Sequence, residues 1–296
     1  METPTEIREF LTSRRARRSP GEAGLPDFGG RRRVPGLRRE EVALLAGMSV
    51  EYYVRLERGN ARGVSDAVLD GISRALDLTD AERSHLHDLV RAANDGARPH
   101  RRRRPARPQD VTATTQQLLD AMRDVPAIVQ NARLDLIATN ALGRAVFSEM
   151  FLLPQRPVNF ARFVFLEPRA LDFYRDWDDA AAQTVALLRT EAGRTPHDRE
   201  LGDLVGEISV RNETFRGLWA SHDVRQHSTG IKNITHPVVG DLDLHYEAMT
   251  LASGLQLIAY SAPPATPTTD RLSVLASWSA PQPAQPPADA DHLPGH

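Results

Sequence analysis

Apolar residues recur at helical spacing in four short runs near the start of the chain. Val42, Leu44 and Leu45 form the first, and Tyr53 and Leu56 the second. Val68, Leu69, Ile72 and Leu76 form the third, and Leu86, Leu89 and Val90 the fourth. Only Gly47, Met48 and Ser49 separate the first two, so the chain turns a sharp corner between two short helices. Ser65 stands where it can cap the third run, and Thr79 with Glu82 three residues on is a capping box for the fourth. An acidic helix start (Thr5, Glu6, Glu9) leads into the basic run Arg14, Arg15, Arg17, Arg18. The opening segment, residues 1–96, therefore reads as about five short helices.

The pattern then changes. Residues 97–110 are rich in Arg and Pro without apolar periodicity, which predicts an extended linker. From Val111 an amphipathic helix carries Leu118, Leu119 and Met122. The stretch "AIVQNARLDLIATNALGRAVF" reads as a hairpin turning at Asn131-Ala132-Arg133, followed by a helix capped by Asn140. Residues 159–220 are helical, with Leu187, Leu188, Leu201, Leu204, Val205 and Ile208 at helix spacing. Strands follow in "GIKNITHPVVG", "DLDLHYEAMTL" and "GLQLIAYSA". In the second of these, Leu242, Leu244, Tyr246 and Ala248 alternate with Asp241, Asp243, His245 and Glu247, so one face is buried. Residues 111–280 thus form an α+β domain with strands at both ends of a helical insert, and 281–296 cannot build a core and should be disordered.

Composition sharpens this picture in two places. The chain has 296 residues and a net charge of −2, but residues 1–108 carry +6 and residues 109–296 carry −8. The basic part contains no lysine, and the segregation of sign points to a polyanionic partner for the first domain. There are no cysteines, which excludes disulfides and thiolate metal sites and fits a reducing cytoplasm. No apolar run reaches the length of a membrane span and no leader peptide is apparent, so no membrane partner is expected.

A helix, a Gly-bearing turn and a second helix form the helix-turn-helix pattern. Its steep corner lets one helix cross a DNA backbone while the next enters a major groove about 12 Å wide. Gly47 suits the positive φ of a helix C-terminus, and Ser49 caps the second helix. The stretch "LRREEVALLAGMSVEYYVRLERG", Leu37 to Gly59, resembles the XRE (lambda-repressor/Cro-like) family at Glu41, Ala43, Gly47, Ser49, Glu57 and Gly59. That family usually has Gln where Arg39 stands here. The whole chain resembles a subgroup, the MmyB-like regulators, through "RRRVPGLRREEVALLAGMSVEYYVRLERG", "FRGLWASHDV" and "KNITHPVVGDLDLHYEAM".

The resemblance implies an all-α helix-turn-helix domain followed by a PAS-like domain with an antiparallel sheet and helical insert. It also implies that the second domain senses a small amphiphile, a fatty acid being the precedent. On the recognition helix, Tyr53 and Leu56, with Met48, should face the core. In the family's docking pose Val50, Glu51 and Arg55 face the bases: Arg55 can bond guanine, Glu51 cytosine N4, and Val50 a thymine methyl. An intrahelical pair between Glu51 and Arg55 is the competing reading. Tyr52 and Ser49 adjoin this surface, and Arg38, Arg39, Arg58, Asn60 and Arg62 are candidate phosphate contacts. Arg62 can instead enter the minor groove. Arg14 to Arg18 and Arg31 to Arg33 either add backbone affinity or are solvated loop charge.

In the second domain Phe173, Trp177, Phe215 and Trp219 can wall a ligand cavity or simply fill the core. His222, Arg225, His227, Lys232 and His236 offer cations for a carboxylate, with Arg225 the first choice for its planar fork. His236, before Pro237, can equally be structural. The histidine spacings match no metal motif, and no Gly-rich phosphate loop or nucleophile elbow is present, so no metal, cofactor or catalytic residue is expected. The expected partners are double-stranded DNA with inverted half-sites, a small amphiphile, a second copy of the chain, and RNA polymerase. Two alternatives stay open: an antitoxin-like DNA binder whose second domain only mediates interaction, and a ligand-binding enzyme with a vestigial helix-turn-helix.

Overall fold

The computed structural model describes residues 3–25, 34–95, 111–224 and 229–279. The first unit holds the expected helices: α1 (Thr3–Arg17), α2 (Arg39–Ala46), α3 (Val50–Glu57), α4 (Asp66–Leu76) and α5 (Asp80–Asp95). Ile7, Phe10, Leu11, Leu37, Val42, Tyr53, Leu56, Leu69, Ile72 and Leu86 form one buried cluster, with Met48 packed against it. One apolar residue departs from the expected pattern. Leu44 is 72% exposed, because α2 turns Val42 and Ala43 inward instead. That face is set by α4, whose Gly71 lies so close that a Cβ there would come within 2.8 Å of the Ala46 carbonyl oxygen. The Thr79–Glu82 capping box forms reciprocally at 2.9 and 3.3 Å. Ser65 holds the N-cap position of α4 without a side-chain hydrogen bond.

The corner between α2 and α3 is built as the residues suggest. Gly47 adopts φ +69°, the left-handed region, and the Gly47 and Met48 amides donate to Leu44 and Ala43 carbonyls. Ser49 is extended, and its hydroxyl accepts from the Tyr52 amide at 3.1 Å.

The second unit begins with α6 (Ala113–Ala121), β1 (Ala127–Gln130), β2 (Leu136–Thr139), α7 (Ala141–Val146) and α8 (Ser148–Phe151). The helical insert follows: α9 (Phe160–Leu166), α10 (Ala170–Phe173), α11 (Trp177–Arg194), α12 (Arg199–Arg211) and α13 (Glu213–Ala220). Strands β3 (Thr229–His236), β4 (Gly240–Thr250) and β5 (Gln256–Ser261) complete an antiparallel sheet in the order β2-β1-β5-β4-β3. Leu242, Leu244 and Tyr246 of β4 point to the core while Asp241, Asp243, His245 and Glu247 face out. Asn140 does more than cap α7. Its Oδ1 accepts from the Gly143 and Ala127 amides, and its Nδ2 donates to the Met122 and Val125 carbonyls.

A last helix, α14 (Pro267–Ser279), has no counterpart in the sequence reading; Leu272 and Leu275 bury it against the core. The expected linker (97–110) and the tail (281–296) lie outside the described residues. The two units are separate along the chain but not in space. Helix α5 packs on α11, α1 reaches Arg189 of α11 through Glu6 and the residues after α13 through Glu9 and Arg14, and Val224 joins the core of the first unit.

Candidate functional site

The recognition helix α3 presents one face to the first unit's core and another to solvent. Tyr53 and Leu56 are fully buried, whereas Val50, Glu51, Arg55 and Arg58 are exposed. Val50, Glu51, Val54, Arg55, Arg58 and Asn60 together line an open concavity of about 460 Å³. Arg55 stacks its guanidinium 4.8 Å from the centre of the Tyr52 ring. No described acidic residue pairs with Arg55, so the intrahelical bridge to Glu51 does not form. Tyr52 is half-buried and supplies a platform that holds the guanidinium at the surface. Arg38, Asn60 and Arg62 are exposed on the segments flanking α2 and α3.

Arg39 is placed differently from a free phosphate contact. Its Nε donates to Glu57, and this hydrogen bond holds its pKa above the usual value. Glu57 is 1% exposed, and it also accepts from Arg15 Nε at 2.7 Å and from the Tyr53 hydroxyl at 3.4 Å. Burial and the neighbouring carboxylate push the Tyr53 hydroxyl well above its normal range. One buried carboxylate therefore joins α1, α2 and α3.

The basic run of α1 is largely engaged by partners within the protein, although Arg17 stays half exposed. Arg14 is buried and reaches Asp223, and Arg15 takes Glu57. Arg17 pairs with Glu82 at 2.6 Å, and Arg18 donates to the carbonyls of Arg74 and Ala75. These arginines find partners within the protein, and the positive charge of α3 and its flanks faces outward. Arg31 to Arg33 lie outside the described residues.

In the second unit three of the four aromatics named from sequence come together around Phe165, and Phe173 packs elsewhere in the same core. Phe215 meets Phe165 edge-on at 5.0 Å and stacks with Trp219 at 5.7 Å. Trp177 meets Phe165 at 6.0 Å and donates its indole N–H to the Val164 carbonyl. Phe173 packs edge-on against Phe163 at 5.4 Å within the same core. The cations do not converge with them as one group. His236 is buried, lies within hydrogen-bond reach of the Ala145 carbonyl, and accepts from the Val238 and Val239 amides, a structural role. His222 is buried at the junction of the two units, 3.2 Å from Glu9 of α1. Lys232 on β3 sits 5.4 Å from the Tyr174 ring, and burial brings its pKa down to about 8 against the pull of Asp179. Arg225 and His227 lie outside the described residues.

One residue escaped the sequence reading. Arg189 is 2% exposed on α11, among the buried positions Val185, Leu188 and Ala192. A charged residue in an apolar helical stripe is the signal that could have found it. Among the described residues no group of His, Asp or Glu could hold a metal ion, and no helix is long and apolar enough to cross a membrane.

Comparison with known families agrees with this geometry. Residues 111–275 match the MmyB-like transcription regulator ligand binding domain, and residues 6–86 match a helix-turn-helix domain. No curated protein matches the chain. With a ligand-binding domain of that type over more than half its length and a helix-turn-helix domain before it, the chain belongs to the MmyB-like transcription regulators.

Proposed function

We propose that the chain is a sequence-specific transcription regulator that docks α3 in the major groove of an operator and answers to a small amphiphile held by residues 111–280. The observation that carries the reading is the outer face of α3, where Arg55 is exposed, without an ion-pair partner among the described residues, and propped on Tyr52. A guanidinium so presented suits guanine O6 and N7, with about 1–3 kcal/mol of discrimination for a bidentate contact. Glu51 and Val50 beside it suit cytosine N4 and a thymine methyl. Arg38, Arg58, Asn60, Arg62 and the Ser49 cap take phosphates, which position without specifying. One eight-residue helix reads about a half-site, so two copies on inverted half-sites complete the operator.

For the ligand, the family supplies the domain type and the residues supply the chemistry. Trp177, Phe215 and Trp219 around Phe165, and Phe173 beside Tyr174, offer apolar surface, and Lys232 near Tyr174, with Arg225, offers cations for an acidic head group. Each buried CH₂ contributes roughly 0.8 kcal/mol, so a ten-carbon tail reaches micromolar affinity after ordering costs.

The experiment is selection of duplexes from a random-sequence pool by the full chain. A recurrent motif with inverted half-sites is the expected result; recovery of no motif removes the reading. Thermal stability with fatty acids of graded length tests the ligand. A melting temperature that rises with chain length is expected, and no rise at any length leaves the second domain without this ligand class.

A further inference from the structure

The stretch "FRGLWASHDV", residues 215–224, lies where the two units meet, and its contacts cross between them. Arg189 places its guanidinium 4.1 Å over the Trp219 ring, donates to the Trp219 carbonyl, and pairs with Glu6 of α1. From the other side, Arg14 of α1 donates to the His222 carbonyl and bonds Asp223 at 3.0 Å. The His222 imidazole stands 3.2 Å from Glu9, and Val224 is buried among the apolar residues of the first unit. At the far end Arg194 pairs with Asp88 at 3.0 Å. His85 of α5 lies against the backbone of α11 at Gly193, where an added Cβ would come within 2.5 Å of its ring.

Helix α1 is therefore held on two sides. Glu6, Glu9 and Arg14 face the second unit, while Arg15 reaches Glu57 at the end of the recognition helix. The Pro4 carbonyl also abuts Gly59, just past α3. A contact serving only adhesion would be better made of apolar side chains, because burying charge costs several kcal/mol per ion before pairing offsets it. This interface instead buries two guanidiniums and two imidazoles. Arg189 Nε, His222 Nδ1 and both nitrogens of His85 have no hydrogen-bond partner among the described residues. Water would satisfy those groups on opening, so the docked and undocked arrangements are brought close in free energy, as a two-state element requires.

We infer that residues 215–224, with Arg189, are the docking surface by which the ligand-binding domain grips α1 of its own helix-turn-helix domain, and that this grip sets the affinity of α3 for DNA. The inference rests on the DNA-binding reading above. Coupling of this kind is reciprocal: if the docking surface governs DNA binding, DNA binding must alter the docking surface.

Tryptophan fluorescence reads that reciprocity directly. The chain has three tryptophans, Trp177, Trp219 and Trp278, all in the second unit, so a change on adding DNA has crossed the interface. The full chain is titrated with the duplex recovered by selection, alongside Trp219→Phe, Arg189→Met and Glu6→Gln. The wild type should shift its emission on binding, the shift should vanish in Trp219→Phe, and both clamp variants should shrink it while changing DNA affinity at least fivefold. Far-UV circular dichroism separates loss of coupling from loss of fold, and Glu6→Gln keeps the test open if Arg189→Met does not fold. A silent wild type, or clamp variants that bind DNA within twofold of wild type with the full emission change, overturns the inference. Selection that recovers no duplex would instead defeat the DNA-binding reading itself.

Discussion

Replacing Glu57 tests how the recognition helix is held. Its carboxylate is 1% exposed and accepts from Arg15 at 2.7 Å, from Arg39, and from the Tyr53 hydroxyl. Glu57→Gln keeps the volume but removes the charge, leaving Arg15, only 13% exposed, without its counter-ion. Breaking a buried pair in this way costs 3–5 kcal/mol. The Arg39 side chain is 50% exposed and recovers water, so the lower end applies, about 3 kcal/mol. Urea unfolding of the full chain, followed by far-UV circular dichroism, measures the loss. The companion variants are Arg15→Met and the double substitution. Removing the stranded guanidinium should restore part of the stability, so the double variant should be at least about 1 kcal/mol more stable than the sum of the single losses. A Glu57→Gln chain within about 0.5 kcal/mol of wild type, or strictly additive losses, would refute the claim that this carboxylate ties three helices together.

Two further outcomes follow from the same structure. Gly59 has φ +88° and lies under the Pro4 carbonyl, where a Cβ would sit 2.3 Å from the oxygen; Gly59→Ala should therefore cost more than about 2 kcal/mol in urea unfolding, and a loss below about 1 kcal/mol would contradict the close approach of α1. Burial, with Arg189, His222, Arg14 and Arg194 nearby, holds His85 down to about 3, while burial with Arg189 and Arg14 holds His222 down to about 4 despite Asp223 and the adjacent Glu6 and Glu9. Both are neutral in the folded chain and take up protons near pH 6.5 once unfolded, so stability is fully present above that pH and falls as pH drops toward 4 for His222 and 3 for His85. From pH 7.5 to 5.5 the two together remove about 3 kcal/mol, and His222→Asn, which tolerates the local φ of +56°, should halve the slope; an unchanged slope would remove His222 from the account.

What the sequence made legible was what local chemistry decides. The corner at Gly47 and Ser49, the Asn140 cap and the alternation along β4 each depend on residues within a few positions, and each forms in the structure. Glu57 and Gly59 could be matched as motif positions, but their work lies in Arg15, Arg39 and Pro4, which only folding brings to them. The basic run of α1 was legible as charge and illegible as pairing, since Arg15, Arg17 and Arg14 find partners 42, 65 and 209 positions away. The aromatics Phe215 and Trp219 were found by type. That Trp219 and His222 sit at the junction of the two units followed from Arg189, whose place in an apolar stripe of α11 is intelligible only once α1 lies against it. Helix α14 was missed because Leu272 and Leu275 are a short signal in a polar stretch, decisive only with the core beside them.

The central claim, that α3 reads bases while its flanking arginines hold the backbone, is tested most directly by one titration. Wild type and Arg55→Ala are measured against the selected duplex and its single-base-pair variants between about 50 and 200 mM salt. With Arg38, Arg58 and Arg62 assigned to phosphates as proposed, affinity should fall about 40-fold per protomer across that range for both proteins. Arg55→Ala should lose about 1–3 kcal/mol of discrimination at one base pair in each half-site and keep its preferences elsewhere. Affinity that ignores salt, or an Arg55→Ala protein that keeps every base preference of the wild type, would contradict the account.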